Sequence, residues 1–371
     1  MTSPLNTAPR ICVAGPLVLA LVMGPLEHEP RPGEEQIAPA SSFSPGGSAN
    51  RAVALARLGL NTQFLCSIGI DEAGAIVRSM LTTSRVDLSH ALRVPHQAIT
   101  VSLGFNGDRA LTTSGDLTVP SLSTLRQAPH ALVAELHVLG ANSETVEKWR
   151  SNPVPPITML EAPPAAPIPP TWVLSECRWD STGQWKSSDL DALDNVDVFT
   201  LNEREAMNYT HKENARQAAR QLAWHVPGVI VTQGAQGATA IIEGEEFSLP
   251  AAPAKTIDTT SAGHAFSAAL VWARMQGLSP KAAVSMALLA SARSTETMGS
   301  FADAPTLDGL KKWTESCDVP DGYDLAFMDF DDFTLEEETT QRPDPAEPDT
   351  DLRDDSGFEL AKGIADILAQ E

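Results

Sequence analysis

The stretch Asp258-Thr259-Thr260-Ser261-Ala262-Gly263-His264 runs directly into an apolar segment over residues 265–273. Small residues at a helix start leave its first backbone amides uncovered, and the helix dipole adds positive potential there. The amides of Ala262, Gly263 and His264, with Ser261 at the turn before them, are therefore expected to face an anion. Two glycine-bearing turns stand upstream. Pro45-Gly46-Gly47-Ser48-Ala49-Asn50 opens a predicted helix over 49–58 that Gly59 closes, and its paired glycines let backbone approach a ligand. Thr232-Gln233-Gly234-Ala235-Gln236-Gly237 follows the apolar strand 229–232. It reads either as a phosphate cradle at the carboxyl end of a parallel strand or as a tight hairpin. Neither G-x-x-x-x-G-K-[ST] nor G-x-G-x-x-G occurs, which disfavours the P-loop and dinucleotide-binding folds.

Around these turns, short apolar runs alternate with amphipathic stretches, the pattern of a parallel sheet covered by helices. Strands are expected at 11–13, 62–68, 136–139, 196–200 and 229–232, and a second helix at 280–292 with Ser279 as N-cap and Pro280 at its first position. Residues 98–105, Asn106-Gly107 and 110–113 read as a hairpin inserted as a lid. Residues 153–170 hold eight of the 28 prolines and read as a loop around a short strand at 157–160.

Composition sets the class. The 371 residues are 42% hydrophobic and carry 26 basic against 48 acidic side chains, a net charge of −22, so the basic footprint of a nucleic-acid or anionic-membrane partner is missing. Cys12, Cys66, Cys177 and Cys317 lie too far apart for a zinc site or disulfide scaffold, and a reducing cytoplasm is expected. The apolar run 11–25 is too short to span a bilayer and reads as a buried first strand. Residues 314–371 hold 19 acidic and 3 basic residues, a net of −16, and read as a separate, largely disordered acidic tail. Within it Tyr323, Phe327, Phe330 and Phe333 alternate with aspartates, a composition of segments that bind protein partners or simply stay solvated. Ser356-Gly357-Phe358-Glu359 is a capping box that opens a short C-terminal helix.

In order and spacing, the three turns resemble the ribokinase-like (PfkB) carbohydrate kinase family, over about residues 10–313. Residues 68–74, Gly107-Asp108-Arg109 and Asn202-Glu203-Arg204-Glu205 are similar to further elements of that family. The resemblance implies an α/β fold in residues 1–313: a central, mostly parallel sheet flanked by helices, with a small inserted β lid from about 21–45 and 95–118. It implies phosphoryl transfer from ATP, with magnesium, to a hydroxyl of a sugar or nucleoside. By the same resemblance Gly46, Gly47 and Asn50 meet the substrate; Asn202, Thr232, Gly234 and Gly237 meet the nucleotide; Asn202 and Glu205 associate with magnesium; Ser261, Ala262, Gly263 and His264 form the catalytic turn. A homodimer through the lid strands is a further implication.

Departures from the family pattern fall on chemistry. His264 occupies the position of the catalytic Asp, Ser261 that of the first glycine of the anion hole, and Ala20 that of a diol-binding Asp. Glu176-Cys177-Arg178 stands where an Asp-Pro-Asn element is expected. A neutral His264 accepts a proton, whereas a neighbouring triphosphate favours imidazolium, a phosphate clamp. Two functions therefore stay open: a kinase with impaired transfer, and a non-catalytic, ligand-binding pseudokinase that scaffolds or regulates through its acidic tail. The other seven histidines have no metal-ligand spacing, and Asp71 and Glu72 read as helix-capping or surface residues. Trp172, Trp179 and Trp185 read as core or as pocket lining, and periodicity does not decide between them.

Overall fold

The computed structural model describes residues 9–105, 108–151, 170–180, 182–259, 261–297 and 304–331. Its central sheet runs in the order β14 (Glu245–Leu249), β13 (Ala238–Ile242), β12 (Gly228–Thr232), β11 (Val198–Asn202), β10 (Trp172–Glu176), β9 (Ala131–Glu135), β1 (Arg10–Ala14), β4 (Asn61–Leu65). From β12 to β4 every neighbouring pair is parallel; β13 and β14 are antiparallel additions. The inner strands read as unbroken apolar runs because both sheet faces are covered.

On one face lie α1 (Ala49–Arg57), α2 (Glu72–Thr83), α7 (Ala262–Met275), α8 (Pro280–Ser294) and α9 (Leu307–Ser316), packed through Leu55, Val77, Phe266, Leu289 and Leu310. On the other lie α3 (Leu136–Ala141), α4 (Ser143–Ser151), α5 (Glu203–Thr210) and α6 (Ala215–Leu222), packed through Leu139, Trp149, Ala206 and Leu222. Local signals fix the ends of several helices. Ser279 accepts from the Ala282 amide and Pro280 begins α8, while Asp71 accepts from the Gly74 amide at the start of α2. No described helix is long and apolar enough to cross a membrane, and the four cysteines are free thiols.

A second sheet, in the order β3 (Ala40–Gly47), β2 (Leu17–Leu26), β7 (Ile99–Phe105), β8 (Asp108–Ser114), forms the expected lid. Cross-strand register puts Val18, Ala20, Ser44, Thr100 and Leu111 on one face and Leu21, Met23, Phe43, Ile99 and Val101 on the other. The small parallel pair β5 (Ser67–Gly69) and β6 (Leu92–Val94) completes the described strands.

Three expectations about elements need correction, the first being the strand placed at 62–68, which is two strands, β4 and β5, in different sheets. The strand placed at 136–139 is β9, over Ala131–Glu135, and Leu136 instead starts helix α3, which buries Leu136, Val138 and Leu139. A short apolar run does not by itself distinguish strand from helix, and here two such runs adjoin. The tail boundary at 313/314 falls inside α9. Beyond it Phe327 is fully buried, Tyr323 Oη donates to the Pro250 carbonyl at 2.6 Å, and the Phe330 ring meets Trp272 edge-on. Residues 314–331 therefore belong to the domain, because their aromatic side chains cover α8 and β14 rather than water. The strand expected at 157–160, Phe333, the acidic stretch 341–355 and the C-terminal helix lie outside the described residues.

Candidate active site

The carboxyl edge of the parallel sheet gathers the predicted residues. β3 delivers Gly46 and Gly47 to the start of α1. Gly47 has φ +67° and a Cβ there would lie 2.5 Å from the Pro16 carbonyl oxygen, so this turn closes only with glycine. The first turn of α1 then buries Asn50, whose Oδ1 finds no hydrogen-bond partner among the described residues. An orphaned buried acceptor carries a desolvation cost, which a ligand hydroxyl would relieve.

A cavity of about 290 Å³ opens above these residues. Ala20 and the lid strands wall it, Gly46, Gly47 and Asn50 line one side, and Glu135, Arg109, Arg178 and His264 supply its ionisable groups. Glu135 ends β9, is buried, and has Oε2 without a hydrogen bond, 3.4 Å from His137 Nδ1. Beside the cavity, the next residue of α1, Arg51, forms a buried ion pair with Glu176 at the end of β10. Burial pushes the Glu176 carboxyl above its ordinary range, against the pull of Arg51 and the Ser267 hydroxyl.

His264 sits in the first turn of α7. Burial, then the Arg51 and Arg109 guanidiniums, push its pKa down to about 3, so the ring is neutral at pH 7. Arg109 lies 4.0 Å from Asp258. The Gly263 backbone faces open space. Ala262 departs from the expectation. Its amide donates to the Thr259 carbonyl at 3.3 Å, because Ser261 already has helical backbone angles and starts the turn one residue early.

The residues expected to meet a nucleotide lie along the same edge but do not line the cavity. Asn202 ends β11 opposite Thr232 at the end of β12. Asn202 and Glu205 form a reciprocal capping box, each side chain accepting from the other's amide at 2.9 Å. Burial raises the Glu205 pKa. The 232–237 turn follows the carboxyl end of parallel strand β12 and turns it antiparallel into β13, as the hairpin reading expects. Gly237, at φ +99°, has no room for a side chain, since a Cβ would lie 2.0 Å from the Leu249 carbonyl, whereas Gly234 faces open space.

Sequence reasoning missed Glu135 and Arg51. The misplaced strand hid Glu135, which is legible as the acid that ends the apolar run 131–134 at the sheet's carboxyl edge. Arg51 is spaced four and seven residues from Leu55 and Leu58, a buried helical face where a lone cation calls for a partner.

The model of the pfkB family carbohydrate kinases matches residues 9–307, and the chain belongs to that family. The ribokinase of Bacillus subtilis (strain 168) is 25% identical over 314 residues, covering 82% of this chain and 98% of that protein. The fructokinase of Vibrio alginolyticus is 28% identical over 234 residues, covering 60% of this chain and 74% of that protein. Among solved structures, an Arabidopsis thaliana ribokinase complexed with ribose and ATP superposes with a TM-score of 0.64 at 19% identity, covering 82% of this chain and 98% of that one. An aminoimidazole riboside kinase of Salmonella enterica gives 0.63 at 21%, covering 82% and 99%. The ribokinase-like α/β fold follows from these superpositions.

Proposed function

We propose that the chain transfers the γ-phosphoryl group of ATP to a hydroxyl of a sugar or nucleoside, with a chemical step attenuated by His264. The observation that carries this reading is the convergence of Gly46, Gly47, Asn50, Glu135 and His264 on one cavity. Asn50 Oδ1 and Glu135 Oε2 are acceptors that substrate hydroxyls would satisfy. Ala20 brings no carboxylate to the lid wall, where Ser44, Thr100 and Ser102 offer only hydroxyls, so orientation of a diol falls first to Asn50 and Glu135. Asn202, Thr232, Gly234 and Gly237 supply the neighbouring nucleotide edge, with adenosine triphosphate aimed at the start of α7.

Transfer needs an acceptor for the hydroxyl proton, and His264 is the ring in place. Beside Arg51 and Arg109 it takes on positive charge reluctantly, whereas a carboxylate would lose its charge on protonation. General-base catalysis is worth about 10²- to 10⁴-fold, and that is the scale of the expected deficit. Arg109, which lines the cavity, and the Gly263 amide would stabilise the charge of the transferring group.

Magnesium fits the edge where Glu205, Glu176 and Glu135 influence one another electrostatically. Such an ion would be held by one or two carboxylates, waters and phosphates. Glu205, oriented by Asn202, would hold it, and the ion would neutralise phosphate charge. The lid supports a homodimer: Leu21, Met23, Phe43, Ile99 and Val101 make an apolar outer face, with Phe43 half exposed at 50%.

Labelled ATP with ribose and with fructose tests the proposal in wild type and His264→Asp. Slow transfer in the wild type, raised about 100-fold by the substitution, is expected. A lower rate in His264→Asp would show His264 to be a competent base. The non-catalytic reading gains if both proteins bind ATP and sugar yet neither transfers phosphate.

A further inference from the structure

A second cavity, of about 810 Å³, adjoins the first, and Leu111, Thr113 and Arg178 line both. It is roofed by the lid, floored by α3 and walled by the loop that follows β10. Trp179 stands on that loop with half of its surface, 52%, open. An open indole is costly to leave in water, and this one is held in place from beneath. Its ring meets Trp185 edge-on at 5.1 Å, and Trp185 meets Tyr209 edge-on at 5.0 Å. Trp185 and Tyr209 are both buried. The loop itself is pinned by Asp180, whose Oδ1 accepts from the Thr182 amide and hydroxyl at 2.8 and 2.7 Å and whose Oδ2 accepts from the Trp185 amide at 2.8 Å. Those bonds hold the Asp180 carboxyl at about 2. The result is a fixed aromatic surface beside the substrate cavity.

From this geometry we infer that the substrate has two rings: a hydroxyl-bearing sugar in the smaller cavity and a linked planar heterocycle in the larger one, against Trp179. Aromatic side chains stack on heterocyclic bases whatever their edge pattern, and Asp189 and Asp191 on the rim offer acceptors to ring or exocyclic N–H groups. A free monosaccharide leaves the larger cavity and the indole unused. This inference rests on the sugar-site reading above and narrows its substrate class to ribosides and related glycosides.

Calorimetric titration of the full-length chain with ribose and with cytidine, uridine, inosine and guanosine, in saturating magnesium and ATP, tests it. At least one riboside binds about 10-fold more tightly than ribose and quenches a tryptophan signal that Trp179→Phe lacks. Trp179→Ala removes that 10-fold gain and leaves ribose affinity within about twofold of wild type. Trp179 is a surface residue, so thermal unfolding of the variant matches wild type and separates lost contact from lost fold. Ribose binding that no riboside exceeds, or a gain that survives Trp179→Ala, overturns the two-ring substrate while leaving the sugar site standing. Binding of neither ribose nor riboside removes the sugar-site reading and this inference with it.

Discussion

His264 concentrates the chemical question. Its folded-state pKa of about 3 lies below the ordinary 6.5, so folding favours the neutral ring. The stability this contributes is complete above pH 6.5 and is lost progressively as pH falls toward 3, because the unfolded chain takes up the proton first. Wild type therefore loses more of its unfolding midpoint across that window than His264→Gln, and parallel curves would contradict the assignment. Arg51 makes a second residue-level prediction. Arg51→Met strands the Glu176 carboxylate in the interior and costs about 3–5 kcal/mol in denaturant unfolding. Adding Glu176→Leu recovers most of that loss, since a buried pair replaced by apolar groups is near neutral. His264 stood out in the sequence because it sits inside a spaced signature. The Arg51–Glu176 pair was not, because pairing across 125 positions is set by the sheet that brings α1 over β10.

At the scale of elements, turns and caps were read correctly where backbone chemistry is local. Gly59 closes α1 with φ +82°, Ser279 caps α8 and Asp71 caps α2, each as the residue type requires. Gly47→Ala tests the tightest of these turns. A methyl group there meets the Pro16 carbonyl at φ +67°, and about 1–3 kcal/mol of stability is lost, with sugar affinity falling alongside. Unchanged unfolding in Gly47→Ala would show that the turn relaxes. Strand limits were harder. Residues 131–139 are apolar throughout except for Glu135 and His137, so periodicity could not say where β9 ends and α3 begins. That two-element ambiguity concealed Glu135, a buried carboxylate that lines the cavity.

At the scale of the whole molecule, charge misled, and the aromatic residues between the aspartates were read with it as part of a tail. The acidic balance of residues 314–371 drew a boundary at 313, yet the aromatics between the aspartates bury themselves on the domain. Phe327→Ala in the full chain therefore costs about 3–5 kcal/mol, as for a core phenylalanine, and a loss near zero would restore the boundary at 313. The lid's outer face makes an oligomer prediction: sedimentation shows a dimer for wild type and a monomer for Phe43→Asp, with the monomer still folded. A monomeric wild type would leave that face without a role. A mostly parallel sheet covered by helices was legible, because glycine-bearing turns and apolar runs at fixed spacing admit few arrangements; the strand order was not, because pairing between distant segments sets it.

On the proposed function, one edge of this sheet receives ATP and magnesium beside a sugar cavity. Thermal unfolding of the full chain with and without millimolar magnesium-ATP measures it directly. Ligand at about 100 times Kd adds about 2.7 kcal/mol to the native state, so a clear upward shift is predicted, reduced when Gly263→Val crowds the start of α7. An unfolding curve that ignores magnesium-ATP would contradict the claim.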